Sequence, residues 1–326
     1  MHQKAYMASP HSLQARFPRN DIPFQRLLLS SAPMSVYTKR ADGEKRSVIH
    51  WGQRKLLMSE IEFLLRTQTQ RCVIIYAGAA PGTHVQILSD LFPMHRFILV
   101  DPSPFTVQAD GDRIITHQCM FTDELAHDLK SEYADAHLLF VSDVRSSDFE
   151  RESTQENERR IRADMDAQAQ WHAILRPIKS MLKFRLPYTP GDTTYLKGEV
   201  FLPVWGPPST TECRLVVDTD AEVQTYNHTD HEQRMFHFNK VTRPALYPHG
   251  VRGCGLDHCY DCTAEVNILR DYLGLDAPDT EIARLSANIS SSICKNRTLA
   301  DPTPDPIQRK RVIRRKQWTN GKPSYE

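Results

Sequence analysis

Short runs of apolar, β-branched residues alternate with amphipathic helical patterns through the middle of the chain. The strand-like runs include "CVIIYA", "RFILVD" and "HLLFVSD", and the patterns between them include "THVQILSDLF" and "TDELAHDLKSEY". Strands that alternate with helices form a mostly parallel sheet covered by helices on both faces. The sequence therefore predicts an α/β fold of the Rossmann-like type.

The second half of the chain extends this series. A long amphipathic helix is predicted before Pro177, followed by strands over "KSMLKFRLP", "LKGEVFLPVW" and "TECRLVVDT". Two further segments, "CTAEVNILRDYLGL" and "DTEIARLSANISSSI", have the spacing of surface helices. The pattern predicts a single domain over residues 47–298.

The two ends of the chain lack this pattern. Residues 1–46 are polar, contain four prolines and are predicted to form an N-terminal arm. Residues 299–326 combine "DPTPDP" with "RKRVIRRK" and are predicted to be a basic, disordered tail. Such a block is more often a solvated tail than a nucleic-acid-binding arm, and both interpretations stay open.

Composition narrows the class of protein. Basic and acidic residues nearly cancel, at 41 and 40, so net charge alone favours no partner. No run approaches the roughly 20 apolar residues that cross a bilayer, and the N-terminus has no apolar signal core, so no membrane partner is expected. The odd number of cysteines, seven, fits a reducing compartment. We expect an intracellular, cytoplasmic protein, or one of the virion or viral factory if the source is a virus.

The stretch "AGAAPGTH" forms a glycine turn between a predicted strand and a helix. It lacks the Lys-Ser/Thr of a phosphate-binding loop and the third glycine of a dinucleotide fingerprint. Gly78 and Gly82 permit close backbone approach, and Asp101 ends the next strand, where a carboxylate can accept hydrogen bonds from ribose hydroxyls. This pattern favours S-adenosylmethionine over a nicotinamide dinucleotide, and a turn without a ligand remains the alternative.

Four charged residues lie at or near the ends of predicted elements: Lys55, Asp143, Lys183 and Glu212. Each by itself is typical of a solvated strand or helix end. Together they suit the methylation of a ribose 2′-hydroxyl, because a lysine whose pKa falls toward neutrality can act as the base. Burial and a second lysine would both lower that pKa.

Several segments in order resemble a known family. They are "WGQRKLLMSEIEFL", "VIIYAGAAPGTH", "FILVD", "LFVSDVRS", "LKFRLPY", "TECRL", "EQRMFHFNK" and, faintly, "PIQRK". Over roughly residues 37–310 the chain resembles the poxvirus-type cap-specific mRNA (nucleoside-2′-O-)methyltransferases, which double as small subunits of viral poly(A) polymerases. The resemblance implies a Rossmann-like, S-adenosylmethionine-dependent methyltransferase fold.

The resemblance also implies a set of site residues. The catalytic tetrad corresponds to Lys55, Asp143, Lys183 and Glu212, with Lys183 as the general base. Contacts to S-adenosylmethionine correspond to Gln53, Tyr76, Gly78, Gly82, His84 and Asp101. For capped RNA, the resemblance implies that the rings of Tyr37 and Tyr188 stack on the methylated guanine. The carboxylates of Glu232 and Asp192 would recognise the edge of that guanine. Arg145 and Arg185 would lie near the RNA backbone.

The chain departs from the family at two positions. Ser103 stands where the family has an arginine two residues after the ribose-binding aspartate. The second guanine-reading acid falls near Pro190, and Asp192 replaces it only through a two-residue shift. Recognition of the cap is therefore implied less completely than catalysis.

A cysteine cluster, "GCGLDHCYDCTAE", has spacings that suit either zinc or simple packing. Cys254, Cys259, Cys262 and His258 could ligate the metal. No second distant Cys-x-x-Cys pair accompanies them, and Cys259 and Cys262 fall on one face of a predicted helix. We expect buried thiols that pack this helix onto the sheet, and no metal.

The function implied by the resemblance is methyl transfer from S-adenosylmethionine to the 2′-hydroxyl of the first transcribed nucleotide of capped mRNA. Two alternatives stay open. One is an RNA-binding processivity subunit of a viral-type poly(A) polymerase, alone or in addition, with the polymerase catalytic subunit as its partner. The other is a 2′-O-methyltransferase of uncapped RNA, which would share the tetrad and lack the guanine clamp.

Overall fold

A computed structural model describes residues 21–38, 52–67, 71–147, 152–207 and 209–293. The first 20 residues, the predicted domain limits at residues 46 and 298, and the predicted basic tail lie outside the described residues. The single-domain limits therefore stay a prediction.

The described residues form nine strands and seven α-helices. The strands are β1 (Cys72–Ala77), β2 (Arg96–Val100), β3 (Ile114–His117), β4 (His137–Ser142), β5 (Lys179–Phe184), β6 (Asp192–Leu196), β7 (Glu199–Phe201), β8 (Cys213–Asp218) and β9 (Val223–Asn227). The helices are α1 (Gly52–Thr67), α2 (Val85–Leu91), α3 (Asp123–Glu132), α4 (Thr154–Leu175), α5 (His228–His237), α6 (Tyr260–Leu273) and α7 (Asp279–Ile293), and a π-helical segment (Phe238–Thr242) continues α5. No helix of the described part of the chain is long and apolar enough to cross a membrane.

Seven strands form one sheet in the order β3-β2-β1-β4-β5-β8-β7. Strands β1 to β5 are parallel, and β8 is antiparallel to both β5 and β7. The first five strands follow the doubly wound order 3-2-1-4-5 of nucleotide-binding α/β folds. The prediction of a Rossmann-like α/β fold is confirmed.

The predicted strand over "LKGEVFLPVW" is wrong as a single element. Leu196 ends β6, which pairs with β9 in a separate two-stranded sheet, whereas Glu199 begins β7 at the edge of the main sheet. The break falls at Gly198, where a β-carbon would overlap the carbonyl oxygen of Val216 in β8. Only glycine allows this close approach, so the chain changes sheets there.

The prediction that α6 is a surface helix is also wrong. Nine of its residues are buried, namely those from Tyr260 to Val266 together with Ile268 and Leu269, and they include the acids Asp261 and Glu265. These acids looked solvent-facing in the sequence because their partners are distant: Glu265 pairs with Arg54 of α1, and Asp261 pairs with Arg243. Paired charges can be buried where single ones cannot.

The described part of the N-terminal arm, residues 21–38, lies against the domain. Leu28 donates to Val200 in β7 at 2.7 Å, and Leu202 donates back to Arg26 at 2.8 Å. Phe24 packs against Tyr260 with ring centroids 5.1 Å apart. The arm therefore covers the exposed edge of the sheet, which would otherwise be open to pairing with other chains.

A substitution at Gly78 tests whether the tight turn after β1 requires a residue without a side chain. It has φ of +78°, and a β-carbon there would lie 2.7 Å from the backbone nitrogen of Val144. Gly111 has a similar φ of +73° with nothing within 4 Å, so Gly111→Ala measures the cost of the left-handed conformation alone. We expect Gly78→Ala to lower the free energy of unfolding by about 1–3 kcal/mol more than Gly111→Ala, because of overpacking.

Urea denaturation of both variants checks this expectation. Equal losses of stability in the two variants would show that the loop after β4 moves away from Gly78 without cost.

Candidate active site

A cavity of about 1040 Å³ opens at the edge of the sheet where the parallel strands end. The strand order places Asp101 (after β2), Gly78 (after β1), Asp143 (after β4) and Lys183 (in β5) side by side along this edge. Glu212 immediately precedes the antiparallel β8 and therefore lies at the same edge. All five residues line the cavity, which is large enough for a nucleoside-sized ligand and the end of a second one.

Four side chains from separate parts of the chain meet in this cavity: Lys55, Asp143, Lys183 and Glu212. Lys183 Nζ lies 2.9 Å from Asp143 Oδ1, and Lys55 Nζ lies 2.7 Å from Glu212 Oε1. The two pairs are joined by Lys183 Nζ and Glu212 Oε2, 3.9 Å apart. The structure thus brings the predicted tetrad together as one connected cluster, while its catalytic role stays a prediction.

Arg214 is a fifth member of the cluster that the sequence analysis missed. Its guanidinium donates to Asp143 Oδ1 at 2.8 Å and lies 3.6 Å from Glu212 Oε1. The register of β5 and β8 sets Arg214 directly opposite Lys183. A signal existed in the sequence, because a single charge interrupts the apolar run "CRLVV" of a strand.

The electrostatics of the cluster act most strongly on Lys183. Burial lowers the pKa of its amine below the usual 10.5, and the positive charges of Arg145 and Arg214 lower it further. The carboxylates of Asp143 and Glu212 act in the opposite sense and only partly offset these effects. The lysine therefore holds its proton less firmly than an exposed lysine does.

The pKa values of the two carboxylates are also lowered, but by neighbouring cations and against the effect of burial. Burial by itself would raise the pKa of Asp143, but the cations of Lys183, Arg214 and Lys55 outweigh burial and hold it below its usual range. Burial likewise opposes ionisation of Glu212, and Lys55, Lys183 and Arg214 hold its pKa well below the usual value. Both acids are therefore ionised at neutral pH and cannot serve as proton donors there.

Arg145 extends the cluster toward solvent. Its guanidinium lies 2.9 Å from Glu212 Oε2, and its side chain is 51% exposed. With Arg145 the site holds four cations against two carboxylates, which leaves positive charge at the cavity mouth. Such an excess favours an anionic ligand such as an RNA phosphate.

The backbone of Lys183 is fixed from one side by a glutamine. Pairing of β5 with β4 ends at Leu182, so the peptide groups of Lys183 lack a strand partner there. The buried side chain of Gln168 replaces that partner, accepting from Lys183 N at 3.0 Å and donating to Lys183 O at 3.2 Å. This bidentate contact, absent from the sequence predictions, fixes the direction in which Lys183 leaves the strand.

At the β2 end of the cavity the residues fit an adenosine. Asp101 Oδ2 accepts from Ala80 N at 3.1 Å and Oδ1 accepts from Ser103 N at 2.8 Å, which orients the carboxylate and leaves lone pairs for ribose hydroxyls. Phe121 and the 66%-exposed Met120 provide an apolar wall beside it. These residues could hold S-adenosylmethionine, with the glycine at position 78 letting the ligand approach the backbone.

Three of the predicted donor contacts do not line the cavity. Tyr76 and His84 are each 1% exposed, and Gly82 also lies behind the lining residues. His84 Nε2 lies 3.0 Å from Glu60, and its Nδ1 lies 2.8 Å from Gln53 Oε1. In the described structure His84 therefore holds Gln53, which does line the cavity; a direct contact with the donor stays a prediction for all three.

Tyr188 lines the other end of the cavity. It is 43% exposed, and its hydroxyl accepts from Thr211 at 3.3 Å. Arg185, predicted near the RNA backbone, places its guanidinium 4.7 Å from the centre of the Tyr188 ring. The ring is thus held in position by a cation on one face.

The remaining predicted RNA contacts lie outside the cavity lining. Tyr37 is 53% exposed and packs edge-on against Phe236 of α5, with centroids 5.3 Å apart. Glu232 lies one turn earlier on α5, and partial burial raises the pKa of its carboxyl. Asp192 begins β6, where Asn227 donates to it at 2.9 Å. A guanine pocket shared by these residues and Tyr188 stays a prediction.

The cysteine cluster differs from the candidate zinc set, whereas the thiols of Cys259 and Cys262 are buried as expected. Asp257, Cys259 and Cys262 place their side-chain ligand atoms within 4.8 Å of one another, and Cys254 is not among them. Cys259 caps helix α6 by accepting from Cys262 N at 3.3 Å, and both thiols are fully buried. Burial raises the pKa of Cys262 well above its usual value. Burial of both thiols and the capping bond from Cys259 fit the expected packing of α6, and the expected absence of a metal stays a prediction.

Fold and cavity together define a Rossmann-like domain with an adenosine-sized cleft and a buried Lys-Asp-Lys-Glu cluster beside it. The chain belongs to the Poly A polymerase regulatory subunit family, whose model matches residues 32–270. The resemblance inferred from the sequence segments is thereby confirmed at the level of the family.

Individual relatives share less than a third of their aligned residues with this chain. A cap-specific mRNA (nucleoside-2′-O-)-methyltransferase of Myxoma virus (strain Lausanne) is 28% identical over 212 residues, which cover 60% of this chain and 62% of the relative. The protein of the same description from Fowlpox virus (strain NVSL) is 28% identical over 236 residues, covering 64% of this chain and 73% of the relative. The match thus spans less than two thirds of the Myxoma virus protein.

Among solved structures, bluetongue virus VP4, described as a multifunctional RNA-capping production-line, superposes with a TM-score of 0.43. It is 16% identical, and the superposition covers 70% of this chain and 36% of VP4.

The cluster geometry predicts how Lys183 responds to the loss of its nearest carboxylate. In Asp143→Asn the ammonium of Lys183 loses the negative charge 2.9 Å away, so its pKa should fall still further below 10.5. Titration of lysine side-chain nitrogens by NMR measures this directly.

Asp218→Asn is the matched control. Asp218 ends β8 and pairs with Lys179 at the opposite end of the same strand pair, so its loss should leave the pKa of Lys183 unchanged. A pKa of Lys183 that rises in Asp143→Asn would contradict the arrangement described here.

Proposed function

We propose that the protein transfers a methyl group from S-adenosylmethionine to the 2′-hydroxyl of the first transcribed nucleotide of capped mRNA. The observation that carries the proposal is the buried Lys183, held 2.9 Å from Asp143 and 3.9 Å from Glu212 next to the Asp101 end of the same cavity. A base for a weakly acidic hydroxyl thus lies beside a site that suits an adenosine.

In this proposal each charged side chain has a distinct role. Bound S-adenosylmethionine supplies an electrophilic methyl group. Lys183 in its neutral form accepts the proton of the 2′-hydroxyl as the ribose oxygen becomes the nucleophile. Asp143 then stabilises the resulting ammonium, and Lys55 fixes Glu212 through their 2.7 Å contact. Bulk water receives the proton after product release.

Lysine suits this task because its ordinary pKa lies above neutrality and burial lowers it. An ordinary lysine, with a pKa near 10.4, would be almost entirely protonated at pH 7. Burial in the cluster, with Arg145 and Arg214 nearby, moves the amine toward the range in which a useful fraction is neutral. The paired acids are weaker bases for this role, because the neighbouring cations hold their pKa values below the usual range.

Capped mRNA as the substrate is supported by the description of the Myxoma and Fowlpox virus relatives and by the position of Tyr188. Tyr188 offers a ring at the cavity end opposite Asp101, where a positively charged, methylated guanine would stack favourably. The positive cavity mouth formed by Arg145 would then face the RNA phosphates. A 2′-O-methyltransferase of uncapped RNA would need the cluster and not the ring.

A second role is favoured by the description of the family, which names a regulatory subunit of a poly(A) polymerase. We propose a polymerase catalytic subunit as a protein partner and a cytoplasmic location for both roles. The two roles are compatible, because the cavity occupies only one edge of the sheet.

The first test removes the proposed base. Lys183→Met should lower methyl-transfer turnover by about 10²-fold or more, which is the usual scale of general acid–base catalysis. Calorimetric binding of S-adenosylmethionine should persist, since Asp101 and Gly78 are unchanged. Lys179→Met is the control: it lies on the same strand, pairs with Asp218 at the far end, and should retain turnover close to wild type.

Turnover above about a tenth of wild type in Lys183→Met would remove the residue from the role of base. Tighter binding of NAD than of S-adenosylmethionine would reject the methyl-donor assignment as a whole.

The second test concerns the cap. Tyr188→Ala should weaken binding of capped RNA by about 1–3 kcal/mol, the worth of one base–aromatic stack, and should spare turnover on bound RNA. Tyr188→Phe, which keeps the ring and loses only the bond from Thr211, is the control and should bind nearly as well. In wild type, a methylated cap dinucleotide should compete better than the unmethylated form. Equal competition would leave a methyltransferase of uncapped RNA.

A further inference from the structure

One row of residues on α5 and the π-helical segment contacts the loop that carries Glu212. This loop, described at residues 202–207 and 209–212, joins β7 to β8 and has no regular structure in its described residues. A loop of this kind has no ladder of hydrogen bonds to fix its last residue. Within the loop, Glu212 N donates to Thr210 Oγ1 at 3.0 Å, which ties Glu212 only to a near neighbour, so its position also depends on contacts from outside the loop.

The contacts come from every fourth residue of the helix. His231 Nε2 lies 3.0 Å from Thr211 O, and Asn239 Nδ2 donates to Thr210 O at 2.8 Å. Between them, Met235 meets the thiol of Cys213 at 3.4 Å. Contacts from this one row therefore hold the residues on both sides of Glu212, namely Thr210 and Thr211 before it and Cys213 after it.

The fourth member of the row, Arg243, holds the beginning of the loop. Its guanidinium donates to Gly206 O at 2.7 Å and to Pro207 O at 3.0 Å. Asp261 of α6 pairs with Arg243 at 3.0 Å and also accepts from Trp205 N at 2.7 Å. Trp205 has φ of +59°, a conformation that a bulky residue keeps only where its surroundings fix it.

The π-helical segment explains why four residues so far apart share one face. In an α-helix, residues four apart drift by about 40° around the axis at each step. The wider π turn, closed here by Arg243 N and Phe238 O at 2.7 Å, rotates less per residue and offsets the drift. Asn239 and Arg243 consequently stay aligned, and Asn239 Oδ1 accepts from Arg243 at 3.2 Å.

We infer that His231, Asn239 and Arg243 are positioning residues that set Glu212 against Lys55 and Lys183. They touch no reacting atom; they act through the backbone of the loop. The inference rests on the proposed function for its kinetic test, and on the structure alone for its second test. A purely structural role would affect stability and leave the protonation of Lys183 unchanged.

The kinetic test compares Asn239→Ala with Asn288→Ala, the same change at an exposed position of α7. Asn239→Ala should lower turnover by about tenfold or more through misplacement of Glu212, with S-adenosylmethionine affinity unchanged. Glu212 raises the pKa of Lys183, so its displacement should move the acid limb of the turnover–pH profile to lower pH. Asn288→Ala should match wild type in both measurements, and unchanged turnover and profile in Asn239→Ala would overturn the inference.

The second test needs no activity. NMR titration of lysine nitrogens should give a lower pKa for Lys183 in Asn239→Ala than in wild type or Asn288→Ala. If wild type methylates no RNA but this shift is present, the proposed function fails and the positioning role stands. If wild type is active and the shift is absent, the positioning role fails and the function stands.

His231 provides a pair of variants in case Asn239→Ala does not fold. Burial lowers the pKa of His231 to about 4, so it is neutral at pH 7, and neutral substitutions preserve its charge. His231→Phe loses the donor to Thr211 and should reproduce the loss of turnover and the lower pKa of Lys183. His231→Gln keeps a donor at a similar reach and should restore both. A glutamine variant no better than the phenylalanine variant would contradict positioning by this hydrogen bond.

Discussion

The antiparallel direction of β8 determines how the charged cluster is assembled. In a fully parallel sheet, a residue that precedes a strand lies at the edge opposite to residues that follow the other strands. Because β8 runs against β5, it begins where β1, β2 and β4 end, and Glu212 joins Asp143 and Lys183 at one edge. The same pairing sets Arg214 opposite Lys183, so two of the five charged side chains depend on this one reversal.

Burial and the neighbouring charges together determine which of these side chains can change its protonation state. Each isolated charge would be costly away from water, and the cluster persists because every ion has an opposite partner within about 4 Å. Arg214 cannot release a proton under any ordinary condition. The acids are held ionised by three cations or more. Lys183 is the member whose proton the surroundings weaken, because burial lowers the pKa of its amine, Arg145 and Arg214 add to this, and the two acids only partly offset it.

The sequence predicted the parts of the structure that depend on local pattern. The strands of the parallel sheet, helix α4 up to Pro177 and the four tetrad positions are visible because periodicity and charged strand ends are local signals. It did not predict pairing between distant segments. The sequence analysis missed Arg214 and interpreted α6 as a surface helix, because their partners Asp143 and Arg54 lie far away in the chain. Nothing in the local sequence around Gln168 or Asn239 indicates that their side chains hold the backbone of Lys183 and of Thr210.

The cluster has two halves. Asp143 and Lys183 are positioned by strands of the sheet, whereas Glu212 and Lys55 are positioned by helix packing. Asp143 and Lys183 extend from central strands, and Gln168 fixes the backbone of Lys183. Glu212 and Lys55 come from a loop and from the first turn of α1, so their positions depend on packing. Thr211 joins the second half to Tyr188 in the cavity lining, since its carbonyl accepts from His231 and its hydroxyl donates to Tyr188. A ligand that stacks on Tyr188 would therefore touch a ring that is hydrogen-bonded to the residue next to Glu212.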